Sequence, residues 1–312
     1  MLLFTYTEIE ELMGIIDRYQ TLFITTNIGT NFLTEKEKRI LRDSGVDIDR
    51  YKIGTVEEAF GFGMLAAAIS DDRVKKMKYN DFKKFVKSKN FIPLNYRERQ
   101  TLEYLKYQTF TDVKGLGSKI KSELSSKIVE QERILQSKFK ESVRQSAIST
   151  VQMRGSVRDM ISELGERTDR WDIDLGRIAE YTLHNAYEEG RACQLEREYG
   201  GDVVVYKDVY PGACKHCIKH YLTAGIGSQP KLFKLSELRA NGSNIGRKTE
   251  DWKATLGPMH PHCRCTINEL PQNYTWDEDK KKFAYSSKNI QNPKVKGRSK
   301  ISVKIGTEEY FV

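Results

Sequence analysis

Four of the five cysteines and four of the five histidines lie in one stretch: Cys214, His216, Cys217, His220, His260, His262, Cys263 and Cys265. Thiolates and imidazoles are the ligands a tetrahedral zinc ion takes, at about 2.3 and 2.0–2.1 Å, and two of them three positions apart on a tight turn can face one ion. Cys214-Lys-His-Cys217 supplies such a half-site. His260-Pro-His-Cys263-Arg-Cys265 supplies the other, with Pro261 stiffening its backbone. The 42 residues between them close a loop rich in glycine, asparagine and serine, and metal binding would offset the entropy of ordering it. The expectation is a structural zinc ion. Disulfides fit less well, because pairs so close in sequence rarely act as staples, and a thioredoxin-like redox pair lacks its alternating strand and helix context. Cys193 stands apart, in a helical pattern, and reads as a small buried apolar residue.

A catalytic zinc would need an open position and a general acid or base nearby. Glu269 and Asp251 are in the neighbourhood, but no His-Glu-x-x-His motif and no deaminase pattern occurs, nor a Walker loop, a dinucleotide fingerprint or a Gly-x-Ser-x-Gly elbow. The sharper rival is an HNH-like treble-clef nuclease drafting His260, His262 and Asn268, although its second cysteine pair would sit inside the histidine cluster. The expectation is that the protein is not an enzyme.

Charge is the second signal. Residues Lys280 to Lys304 hold nine basic residues, Lys280, Lys281, Lys282, Lys288, Lys294, Lys296, Arg298, Lys300 and Lys304, and no acidic one. They account for the whole net charge of +9, so the rest of the chain is neutral. A second basic stretch, Arg73 to Arg99, interleaves Tyr79, Phe82, Phe85, Phe91 and Tyr96. Both could face a polyanion, and both also read as solvated faces, the second with its aromatics in a core. At Val113-Lys-Gly-Leu-Gly117, a turn between helices is expected, with Ser118 capping the next one; a phosphate cradle there is the weaker reading.

The elements that must position these residues change character along the chain. From Thr7 to about Glu198 the apolar spacing is helical almost throughout, starting with Thr-Glu-Ile-Glu behind a Thr7 cap. Leu33 to Gly45 reads as a helix with a glycine stop, and further helices are expected at 55–72, 79–90, 96–108, 118–153, 156–169 and 174–200. After Gly200-Gly201 the β-branched and aromatic run Val203–Tyr210 reads as a strand, and residues 300–312 as two short strands around Gly306-Thr307. At 312 residues the chain can bury a real core. Its longest uncharged apolar run, Phe60 to Ser70, is too short to cross a bilayer, and no membrane partner is expected. The N-terminal residues do not read as a signal peptide, so a cytoplasmic origin is expected.

The blocks Gly212-Ala-Cys-Lys-His-Cys217 and Gly257-Pro-Met-His-Pro-His-Cys-Arg-Cys-Thr-Ile-Asn-Glu-Leu-Pro271 resemble the hallmark of the phage Mu F-like head-morphogenesis family. Its pattern is Cys-x-x-Cys, a variable loop, then His-Pro-x-Cys-Arg-Cys before a short strand, preceded by a helix like Arg177–Arg191. The likeness covers about residues 150–272; Pro211-Gly212 and a long spacer depart from the usual pattern. It implies a minor head protein of the virion, made in the host cytoplasm, at the portal vertex or in the head interior, with portal and other head proteins as partners and no catalysis. Carried over, the zinc ligands would be Cys214, Cys217, His260 and one or both of Cys263 and Cys265, with His216, His220 and His262 at the surface or beside the site. The fold expected is a mainly α N-terminal region with a small α+β zinc-knuckle C-terminal domain. Its limits would be 1–150, 151–272 and, as basic linker plus terminal hairpin, 273–312. Lys280, Lys281, Lys282, Lys294, Lys296, Arg298 and Lys300 are the candidates for sequence-independent contact with packaged double-stranded DNA.

Overall fold

The computed structural model describes residues 6–43, 45–47, 54–69, 77–78, 80–81, 84–85, 93–130, 171–286, 302–305 and 308–311. It is rich in helix in its N-terminal part, with small antiparallel strands towards the C-terminal end. Among the described residues no helix is long and apolar enough to cross a membrane. The helices are α1 (Tyr6–Ile28), α2 (Glu35–Asp43), α3 (Thr55–Ile69), α4 (Tyr96–Glu130) and α5 (Trp171–Tyr199). They pack into two compact units, each built from two stretches of chain: residues 1–57 with 103–180, and 58–102 with 181–312. The expected limit at residue 150, the helix expected at 156–169 and most of the basic stretch from Arg73 lie outside the described residues.

In the first unit, short-range chemistry sets the helix ends. Thr34 and Glu37 form a reciprocal capping box at the start of α2, the Thr34 N–H donating to the Glu37 carboxylate at 2.9 Å and the Glu37 N–H to the Thr34 hydroxyl at 3.3 Å. Gly45, at φ +77°, closes the helix, and the Val46 N–H returns to the Leu41 carbonyl at 3.0 Å. Thr7 is not a cap: it falls inside α1. Phe23, Ile24, Ile28 and Leu41 are buried in this unit, and Lys114 reaches Glu37 at 2.7 Å.

The turn expected at Gly115 and Gly117 is absent, since both glycines sit within the continuous α4 and the helices expected at 96–108 and from 118 are one. Packing accounts for one of them. The buried Gln20 of α1 donates its amide to the Val113 carbonyl at 2.8 Å, and a β-carbon at Gly117 would lie 1.5 Å from that amide nitrogen. Gly115 faces open space. The two therefore respond oppositely to alanine. Gly115→Ala should stabilise the protein by about 0.5–1 kcal/mol through helix propensity. Gly117→Ala should destabilise by about 1–2 kcal/mol, because it displaces Gln20 and leaves its buried amide unpaired. Urea denaturation of the two variants checks the pair of signs.

The second unit carries the cysteines. Here α3 and α5 cross at backbone contact: a β-carbon on Gly63 would stand 1.9 Å from the Tyr187 carbonyl oxygen, and one on Gly190 would stand 2.0 Å from that of Phe60. The start of α4 is capped by Asn95, whose side chain accepts the Glu98 N–H at 3.0 Å, while Arg197 of α5 grips the Glu98 carboxylate through Nε and Nη2 at 2.9 and 2.5 Å. Gly200, at φ +92°, ends α5. The chain then forms β1 (Val204–Asp208), α6 (Lys215–Tyr221), β2 (Leu232–Lys234), α7 (Leu235–Ala240) and β3 (Thr266–Glu269).

β1 is the middle strand of an antiparallel sheet in the order β2-β1-β3, with Tyr206 opposite Leu232 on one side and Asn268 on the other. Val203, Val205 and Lys207 are buried, at the alternate positions of one face. They close, with Ala192, Leu195, Tyr221, Leu235, Leu238, Leu256, Met259 and Ile267, a core that also contains Cys217, Cys263 and Cys265. Residues placed in the expected basic linker form a hairpin, β4 (Tyr274–Asp277) with β5 (Lys282–Tyr285), whose Phe283 ring lies 4.7 Å from that of Tyr206. β6 (Ser302–Ile305) pairs with β7 (Glu308–Phe311), as the sequence pattern predicts.

Candidate metal centre

α6 is only seven residues long, and its geometry puts Cys214 at the N-cap and Cys217 in its first turn. Their sulfurs lie 3.8 Å apart. The second half-site is shaped by a reversal at His262, which takes φ +64° so that the Cys263 N–H returns to the His260 carbonyl at 3.1 Å. That conformation costs a β-carbon-bearing residue about 1 kcal/mol or more. The exposed Arg264, between the two buried cysteines, lies over the Tyr210 ring, 5.7 Å from its centre.

The two half-sites meet. His260 Nε2 lies 3.1 Å from Cys214 Sγ and 3.5 Å from Cys217 Sγ, and Cys217 Sγ lies 3.8 Å from Cys263 Sγ. Cys214, Cys217 and His260 form one triad with ligand atoms within 4.8 Å of one another, and Cys217, Cys263 and Cys265 form a second. Cys217 belongs to both. A tetrahedral ion with the usual bond lengths spaces two sulfurs about 3.8 Å apart, and a sulfur and a nitrogen about 3.5 Å apart. Three of these spacings, from Cys217 to Cys214, Cys263 and His260, match such an ion, while the donors group within 4.8 Å as two triads.

The imidazole is pre-set for ligation. Its Nδ1 faces the Pro261 carbonyl at 2.6 Å, which can only accept, so Nδ1 carries the proton and Nε2 presents its lone pair to the sulfurs. Trp252 stacks on this ring at 6.1 Å and meets His216 at 5.0 Å. Among the thiols, hydrogen bonds with the Cys217 and Cys265 side chains, and with the backbone at Cys265 and Met259, hold Cys263 well below the ordinary thiol range. The same bond to Cys263 pushes Cys217 far up. A buried cluster with one favoured thiolate and neighbours that resist ionisation is what a divalent cation relieves, by taking the place of the shared protons.

All five expected ligands are thus drawn into the two triads. His262 is exposed, His220 is half-buried on α6, and Asn268 accepts from Arg191 Nη2 at 2.5 Å. Of the expected DNA-contacting residues, Lys280 pairs with Asp277 at 3.0 Å and Lys281 with Glu278 at 2.9 Å at the tip of the β4–β5 hairpin, and Lys282 opens β5. Their charge is balanced locally, because the acids of the hairpin immediately precede them. Lys294, Lys296, Arg298 and Lys300 lie outside the described residues.

Four charged or ionisable residues beside the site escape sequence reasoning. Lys207 and Glu188, both fully buried, pair at 2.8 Å, and Lys207 also donates to the carbonyls of Leu256 at 2.5 Å and Gly257 at 3.4 Å. His184 and the buried Arg191 lie one turn to either side of Glu188 along α5. Comparison with protein-family models, with curated proteins and with solved structures returns no match.

Proposed function

We propose that this chain is a structural protein of phage head morphogenesis whose second unit is clamped by one zinc ion. The ion would be held by Cys214, Cys217, His260 and one of Cys263 and Cys265. The observation that carries the reading is the convergence on Cys217 of half-sites separated by a 42-residue loop. Zinc suits the set because thiolate and imidazole donors with tetrahedral spacing favour it over oxygen-seeking ions. Its role is structural, since five candidate donors, three of them buried, can saturate four positions and leave none for substrate.

The head-assembly part rests on the likeness of the two Cys/His blocks to the Mu F-like pattern. A small rigid module closed by metal suits docking on a larger assembly, with portal and head proteins as the partners and the virion as the location. Sequence-independent contact with packaged DNA falls to the acid-free run that ends at Lys304. Disrupting the gene in the phage that carries it should leave the particle yield of infectious heads far below wild type; an unchanged titre overturns the assembly role. Cutting the chain after Ser287 spares the β4–β5 hairpin and removes six basic residues. The slope of log affinity for DNA against log salt should then shrink by up to about 5, and an unchanged slope removes the DNA part.

A further inference from the structure

We infer that one face of α5 sets the position of the second pair of metal ligands, through three side chains that grip the backbone of residues 263–267. The inference rests on the metal reading above and assigns the residues that pre-organise its site. His184, Glu188 and Arg191 follow one another at helical spacings of four and three, so they share a face. His184 Nδ1 donates to the Cys263 carbonyl at 2.5 Å. The Glu188 carboxylate accepts the Ile267 N–H at 2.8 Å, and Arg191 Nε donates to the Ile267 carbonyl at 2.9 Å. The segment that holds Cys263 and Cys265 is therefore pinned at both ends by main-chain bonds.

Two features separate this from ordinary helix packing. First, β3 is an edge strand, and both polar groups of Ile267 turn away from β1 to meet a carboxylate and a guanidinium, which stand in for a neighbouring strand. Second, the grip is itself held from behind. Lys207 fixes the Glu188 oxygen that accepts from Ile267 and ties it to the carbonyls of Leu256 and Gly257, in the segment that leads to His260. One helix face thereby spaces Cys263 and Cys265 and, through Lys207, the approach to His260. A metal that binds such a site does not have to order its ligands.

The test is zinc affinity of the full chain, by competition with a chromophoric chelator, with the cobalt(II) absorption bands as a report of ligand geometry. His184→Leu removes the grip on Cys263 and should weaken zinc binding about 10- to 100-fold and alter the cobalt bands. His184→Asn keeps an N–H where Nδ1 stands and should restore both towards wild type, which a general loss of stability would not allow. Arg191→Lys, a milder change at the other end of the segment, should weaken zinc binding in the same direction and serves if the leucine variant does not fold. Wild type that binds zinc alongside His184→Leu and Arg191→Lys proteins of equal affinity overturns this inference and leaves the metal reading standing. Wild type that binds no zinc overturns the metal reading, and this inference with it.

Discussion

Replacing Cys217 by serine is expected to abolish stoichiometric zinc and to unfold much of the second unit, the largest effect of any single ligand change. Wild type should carry about one zinc ion per chain when purified without chelator. Cys217 is the one donor common to both triads, so its loss leaves, among the described residues, no three of these donor atoms within 4.8 Å of one another. It is also a core residue packed among Val205, Tyr221 and Met259, so a hydroxyl there is an unpaired polar group as well as a lost ligand. Because a structural zinc site contributes its binding free energy to folding, about 10–16 kcal/mol in small zinc peptides, thermal unfolding should shift down with the metal. Cys193→Ser is the control. That thiol is pushed up to about 12, chiefly by burial, and lies in neither triad, so its loss should leave zinc content at wild-type level. Full zinc content in Cys217→Ser would remove the metal centre from the account.

Comparison of Cys263→Ser with Cys265→Ser then identifies the fourth ligand. Cys263 is the better candidate, since its sulfur lies 3.8 Å from that of Cys217, the spacing of two thiolates on one tetrahedral ion. Cys265 would then act as a donor to that thiolate, and its replacement should cost less zinc affinity.

The cysteine and histidine cluster was legible in the sequence because metal chemistry restricts residue type and local spacing, and both survive in one dimension. The glycine stop at Gly45 was legible because it is local, whereas the cap was read at Thr7, which lies inside α1, and not at Thr34 with Glu37, where it stands. Other features depend on partners that sequence does not announce. Gly117 reads as a turn residue until Gln20, far back in the chain, is seen to need its space. The β4–β5 hairpin hides inside a charge run, because Trp276 and Phe283 alternate with polar residues on strands of only four residues. Glu188 and Arg191 look like the solvent face of a helix, since nothing in α5 shows that β3 will lie against it. One signal was present. In Val203–Tyr210 the valines at 203 and 205 face inward, which places Lys207 inward too, and a lysine at such a position requires a buried counter-charge.

That counter-charge gives the second large effect. Lys207→Met should destabilise the zinc-saturated protein by about 3–5 kcal/mol at neutral pH, since it leaves the Glu188 carboxylate buried and without its cation. Burial alone would raise the Glu188 pKa, but Lys207, with His184, holds it below the ordinary carboxylate range. A depressed folded-state pKa means that the stabilising contribution is present above the unfolded value of about 4.3 and fades as pH falls through the folded one. In the methionine variant Glu188 loses the group that depressed it and can take up a proton on mild acidification. The gap between wild type and variant should therefore be widest near pH 7 and narrow towards about pH 6, above the acidity at which the thiolate and imidazole ligands would take up protons and release zinc. Adding Glu188→Gln to Lys207→Met removes the orphaned charge while keeping an acceptor for the Ile267 N–H, so the double variant should be more stable than Lys207→Met alone. Denaturant titrations of the three proteins at both pH values decide it. A cost under about 1 kcal/mol that does not change with pH would mean that Lys207 contributes through packing of its carbon chain, and that the pair is not what holds α5 to the sheet.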